Sequence, residues 1–88
     1  QLVTNLSSVD KLLIISLKNG KMSASELQLV TNLSPLSRRL FRTRYIKPNL
    51  ETGIIAMLYP NAPQHPKQKY CLTELGLQVL NMLLKENK

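Results

Sequence analysis

Apolar residues recur along the chain at different spacings, and each spacing predicts an element. Val9, Leu12, Leu13 and Leu17 follow a helical period. They predict a first helix from about Val9 to Lys18, with Ser8 as N-cap and Asp10 at its positive end. Asn19-Gly20 closes it, because glycine tolerates the left-handed cap conformation. Lys21 and Met22 suit a very short strand or a bend. Ser23-Ala24-Ser25-Glu26 has capping-box spacing and opens a second helix, with Leu27, Val30 and Leu33 toward the core and Thr31-Asn32 at its end. A third helix is expected from Ser34-Pro35, serine capping and proline in the first helical position, to about Arg44 or Tyr45. Its core side would carry Leu36 and Leu40, with Phe41 further round. Pro48 disfavours helix at Lys47, so a break is expected near Ile46-Lys47, followed by a short turn from Pro48 to Glu51 that Gly53 stops.

The pattern then changes. Ile54 to Tyr59 is a short apolar run bounded by Gly and Pro, which predicts a strand. Pro60, Pro63 and Pro66 mark a loop. Gln68 to Leu72 predicts a second strand paired onto the first, and Thr73 caps a final helix from Glu74 to about Lys85, with Leu75, Val79, Met82 and Leu83 along one side. The resulting fold class is mainly α with a small β-hairpin: a winged helix-turn-helix of three helices, a two-stranded wing and a closing helix. Leu13, Leu17, Leu27, Val30, Leu40, Ile54, Leu72 and Val79 are expected in one core. Residues 1–7 read as a tail or linker end, and residues 8–86 as the winged-helix domain. Gln1 to Ser7 recurs as Gln28 to Ser34, but the flanks do not repeat, so this is no solenoid.

Composition narrows the function. The 88 residues make one domain, and a hydrophobic fraction of 43% is enough for one core. Cys71 is the single cysteine and excludes an internal disulfide; with His65 as the one histidine, no metal cluster is expected. No signal peptide is visible, and the longest apolar run, Ile54 to Tyr59, is far short of a membrane span. A cytoplasmic location is expected. The chain does not begin with Met and reads as a piece of a longer protein. Nothing supports catalysis: there is no carboxylate pair, nucleophile–base set or glycine-rich phosphate loop. Neither an enzyme activity, a cofactor nor a small-molecule substrate is expected of this piece.

Charge supplies the positive signal. The net charge is +7 and the pI near 9.9, a balance that suits an acidic partner. No acid lies between Leu27 and Leu50, a stretch that holds Arg38, Arg39, Arg42, Arg44 and Lys47. None lies between Thr52 and Thr73, which holds Lys67 and Lys69. Three- and four-residue spacings put Arg38, Arg39 and Arg42 on one side of the third helix. That helix enters the major groove in a helix-turn-helix protein, where arginine grips phosphate or guanine with two donors. Lys67 and Lys69, with Gln64, His65 and Gln68, could reach flanking backbone from the wing. Duplex DNA is therefore the expected partner. The alternative is a protein-interaction or dimerisation module, docking on its parent or on a second copy through a closing helix rich in Leu and Met. A membrane surface is disfavoured, because the third helix has few apolar residues on its far side.

Particular motifs resemble a known family. Tyr70-Cys71-Leu72-Thr73-Glu74-Leu75-Gly76 is similar to the strand-to-helix end of many winged-helix regulators. Phe41-Arg42, Tyr45-Ile46-Lys47-Pro48, Leu50-Glu51, Gly53-Ile54-Ile55 and the Pro60, Pro63, Pro66 run before Gln68-Lys69-Tyr70 resemble the C-terminal winged-helix domain of bacterial RecG-related ATP-dependent DNA helicases. A similar tail occurs in some Fic-family proteins. The resemblance covers about Ser8 to Leu84 and departs from the pattern at Ala56 and at His65-Pro66. It implies the tail of a larger transcriptional regulator or helicase-like protein, with an ATP site in a separate AlbA/Schlafen-type domain.

Overall fold

The computed structural model describes residues 6–86. Helix α1 (Ser8–Ser16) is opened by Ser7, one residue before the expected cap. Ser7 Oγ accepts from the Asp10 N–H at 3.1 Å, and the Asp10 carboxylate accepts from the Ser7 N–H at 3.2 Å. A glutamate-like reach-back by Asp10 thus completes a capping box. Leu6 packs against the core, so the described fold begins inside the expected tail; residues 1–5 of that tail lie outside the described residues. Leu13, Ile14 and Leu17 are buried, while Leu12 stays exposed.

After a tight turn, Met22 bridges Tyr70 through both backbone hydrogen bonds, 3.1 and 2.8 Å, which makes it the short strand segment expected there. Helix α2 (Ala24–Val30) opens with the Ser23–Glu26 capping box. Its inward residues are Ala24, Leu27, Gln28 and Thr31; Val30 is 45% exposed and does not join the core. Asn32 ends the helix at φ 65, a left-handed conformation that asparagine tolerates.

The third helix departs most from expectation. Residues 34–36 form a turn, and Ser37 rather than Ser34 caps α3 (Arg38–Phe41). A π turn (Arg42–Ile46) follows and leads without a break into α4 (Lys47–Glu51), so one continuous rod replaces the expected break at Ile46-Lys47. Proline explains the π turn. Pro48 has no N–H to give Arg44, and in an α-helix its ring would collide with that carbonyl. The turn widens instead, and the Lys47 N–H donates five residues back to Arg42. Asn49 is buried and fills the same region: its amide donates to the Tyr45 carbonyl at 2.7 Å and to the Asp10 carboxylate at 3.1 Å, tying the rod to α1.

The rod turns inward a different side from the one expected. Phe41 and Ile46 are buried, with Tyr45 packed beside Phe41, whereas Leu40 is 43% exposed. Burying a side chain such as Phe41 contributes roughly 1.5–3 kcal/mol. The larger ring, not Leu40, takes the core side.

Gly53 adopts φ 83 after α4, and the chain enters β1 (Ile55–Met57). This strand pairs antiparallel with β2 (Tyr70–Leu72), with Ile55 opposite Leu72 and Met57 opposite Tyr70. Cys71 is a free, half-buried strand residue. Thr73 caps α5 (Glu74–Glu86) by accepting from the Gly76 N–H at 3.0 Å, while its hydroxyl bonds the carbonyls of Gly53 and Ile54. Gly76 lies so close to the Ile54 carbonyl that an added Cβ would overlap that oxygen. Val79, Leu80 and Leu83 seal the core that Leu13, Ile14, Leu27, Phe41, Ile46, Ile54, Ile55 and Tyr70 build from the other elements. The result is the winged-helix arrangement: a helical layer, a small hairpin and a closing helix.

Candidate nucleic-acid interface

Two surfaces carry the cations singled out in the sequence: the α3–α4 rod and the hairpin loop. On the rod, Arg39, Arg44 and Lys47 are exposed, together with Thr43 and Leu40. Thr43 donates its hydroxyl to the Arg39 carbonyl at 2.9 Å and so spends its donor on the helix itself. Among the described residues, no hydrogen bond or ion pair holds the side chains of Arg39, Arg44 or Lys47. The rod thus presents three exposed cations without a side-chain partner among the described residues, with the exposed Glu51 four residues beyond Lys47.

Arg42 does not belong to that side. It is half-buried, its Nε is enclosed without a partner, and its guanidinium lies against the Tyr70 hydroxyl. Burial raises the Tyr70 phenol above its ordinary range, and the Arg42 charge and hydrogen bond partly oppose that rise. The expectation that Arg38, Arg39 and Arg42 project together therefore fails at Arg42. The expectation took Leu36 and Leu40 as the core side. The rod instead turns Phe41, Ile46 and Asn49 inward, and Arg42, next after Phe41 and one turn before Ile46, borders that inward side and meets Tyr70.

Arg38 is exposed but not free. Its Nε donates to Gln28 Oε1, and the Gln28 amide in turn donates to the carbonyls of Leu33 at 3.2 Å and Leu36 at 3.0 Å. Gln28 is buried and holds the turn between α2 and α3 closed. The sequence carried a signal for it: Ala24, Leu27, Gln28 and Thr31 occupy positions i, i+3, i+4 and i+7, the inward stripe of a helix.

The wing is ordered by its prolines. Three turns follow one another, closed by Ala62 N–H to Tyr59 at 3.1 Å, His65 N–H to Ala62 at 2.9 Å and Gln68 N–H to His65 at 3.0 Å. Pro60, Pro63 and Pro66 each stand second in their turn, where a fixed φ favours the bend. Gln68 is 8% exposed and points inside the loop. Its Oε1 accepts from the Tyr59 N–H at 2.9 Å, and its Nε2 donates to Tyr59 and Ala62 carbonyls at 2.8 and 3.1 Å. Gln68 is thus a brace, not a phosphate contact. His65 stacks on Tyr59 with centroids 3.9 Å apart and accepts from the Lys67 N–H through Nδ1. We expect Gln68→Ala to lower the unfolding free energy by roughly 2 kcal/mol and to speed amide exchange at Tyr59. Urea titration and hydrogen exchange check this; an unchanged midpoint would mean the prolines alone hold the loop.

Lys67 and Lys69 are exposed on the returning limb of this loop. They are not equivalent. Glu26 sits below the usual carboxylate range, chiefly through the Ser23 N–H; desolvation opposes this, and the Ser23 hydroxyl and then the Lys69 charge add to the lowering. Lys69 therefore has an acid near it that the sequence spacing hid, while Lys67 has no such partner among the described residues. Gln64 is exposed at the loop tip.

Among the described residues, no group of three or more His, Cys, Asp or Glu side chains could hold a metal ion. No described helix is long and apolar enough to cross a membrane.

Comparison with known proteins bears on the whole unit. The family model described as "Filamentation induced by cAMP protein Fic-like, C-terminal domain" matches residues 7–73. A crystal structure of a Fic family protein from Desulfovibrio desulfuricans G20 superposes with a TM-score of 0.68 and 30% sequence identity, over 80% of this chain and 21% of that one. The chain thus matches about a fifth of the length of that relative. A comparison with curated protein sequences gives no match.

Proposed function

We propose, from the premise that this chain belongs to the Fic-like C-terminal domain family, that it serves a Fic-type parent as a non-catalytic module that binds duplex DNA. The single observation that carries the reading is the set of exposed cations on the α3–α4 rod, Arg39, Arg44 and Lys47, without side-chain partners among the described residues, on the helix that a helix-turn-helix protein lays in the major groove. Arg38 stands at the start of the same rod, and Lys67 and Lys69 extend the positive surface onto the wing. Arg42 is assigned to the fold rather than to DNA.

The contacts are largely with phosphate, so recognition is weakly specific and sensitive to salt. Of the two parents that the sequence resemblance implied, the comparisons favour the Fic type; a RecG-related helicase parent rests on the resemblance alone. Polarisation of a labelled duplex at low salt tests the reading. Binding in the micromolar range is expected, the scale of non-specific contacts. No binding would remove DNA and leave the interaction module, whose surface would be Leu77, Met82 and Leu84 exposed on α5.

A further inference from the structure

We infer that Arg38 is the residue of this domain that reads a base, and that the base is guanine. The inference rests on the DNA reading above and adds a division of labour to it. Arg39, Arg44 and Lys47 carry no side-chain partner among the described residues, so their long side chains are free to follow phosphates. Arg38 differs in kind. Its Nε is taken by Gln28, and Gln28 cannot turn away, because its amide nitrogen is committed to two carbonyls of the α2–α3 turn. That commitment fixes which end of the amide meets the arginine: the nitrogen must face Leu33 and Leu36, so the oxygen faces Arg38.

A guanidinium has five N–H donors, one on Nε and four on the two terminal nitrogens. With Nε engaged and the residue exposed, the terminal nitrogens remain to bind end-on. Two parallel donors at a fixed spacing match the O6 and N7 acceptors on the major-groove edge of guanine, the commonest specific arginine contact. Adenine presents a donor where guanine has O6, and so repels one of them. Fixing the side chain beforehand reduces the entropy lost when it docks against a rigid edge, a gain that a phosphate contact does not need. Arg38 also stands first in the rod, at the end whose residues meet base edges when such a helix enters the groove. Gln28 acts as a positioning residue.

The test uses the 88-residue chain and a pool of duplexes with a randomised centre. The chain should enrich sites that share one G·C pair. In the enriched duplex, replacing that guanine by 7-deazaguanine, which lacks the N7 acceptor, should weaken wild-type binding about fivefold or more. Arg38→Lys keeps the charge but loses the fork; it should lose the preference at that pair and become indifferent to 7-deazaguanine. Arg39→Lys should keep the preference. Circular dichroism confirms folding, and the 7-deazaguanine arm needs no variant. Enrichment without a shared G·C pair, or equal sensitivity in Arg38→Lys, would overturn the assignment and leave the DNA reading standing. Failure of the wild-type chain to bind any duplex would overturn both.

Discussion

Gly76→Ala is expected to lower the thermal midpoint of this domain by about 10–20 °C. The new methyl would have to occupy space held by the Ile54 carbonyl oxygen. Overpacking costs roughly 1–3 kcal/mol when side chains can yield. Here the obstacle is backbone, and that backbone is fixed: the Ile54 carbonyl accepts from Thr73, and the Thr73 hydroxyl caps α5 through the Gly76 N–H. Moving Ile54 would disturb both the start of the hairpin and the cap of the closing helix, so the cost falls at the upper end. Each kcal/mol is worth about 4–8 °C in a domain of this size. Calorimetry reads it directly. Leu77→Ala, on the exposed side of α5, is the control and should leave the midpoint nearly unchanged. A Gly76→Ala midpoint equal to wild type would contradict the close approach of α5 to the Ile54 carbonyl.

The second large effect concerns binding. Replacing Arg39, Arg44 and Lys47 together by alanine should flatten the salt dependence of DNA affinity by about two to three units, nearly one for each phosphate no longer neutralised. Folding should be preserved, because none of the three side chains is buried or bonded among the described residues. Arg42→Ala should do the reverse. It removes the cation beside Tyr70 and leaves a gap behind the rod, so it should cost stability, about 1–3 kcal/mol, and leave the salt dependence in place. Urea unfolding and binding isotherms, measured on both variants, separate the two roles. Equal loss of binding from Arg42→Ala, without loss of stability, would return that residue to the interface.

Much of this fold was legible in the sequence because local chemistry decides it. The Ser23–Glu26 box and the Thr73 cap need only near neighbours, and the structure has both; the paired strands and the extended segment at Met22, legible from their apolar runs and bounding turns, are there as well, though Met22 meets its partner Tyr70 from far along the chain. The third helix was misread because its frame depends on events far apart in the chain. Ser34-Pro35 is as good a helix start as Ser37, and tertiary packing of Phe41 and Asn49 selects the latter. Pro48 signals trouble, but periodicity alone does not say whether a helix breaks or widens. The π turn widens it, and the choice of Phe41 over Leu40 for the core brings Arg42, expected outside, to the inward border. Val30 and Leu40 illustrate the same limit: both fit a helical stripe, and both lose their core places to Thr31 and Phe41. In the wing, the three-residue spacing of the prolines was visible, but the brace that Gln68 forms across it depends on the loop having closed.

The measurement that bears most directly on the central claim is the salt dependence of duplex binding by the unaltered chain. With Arg39, Arg44, Lys47 and Lys67 on phosphates, the logarithm of the association constant should fall linearly with the logarithm of salt concentration, with a slope of about −3 to −4. A flat line, or no binding at the lowest salt, would contradict the assignment of the rod's exposed cations to DNA.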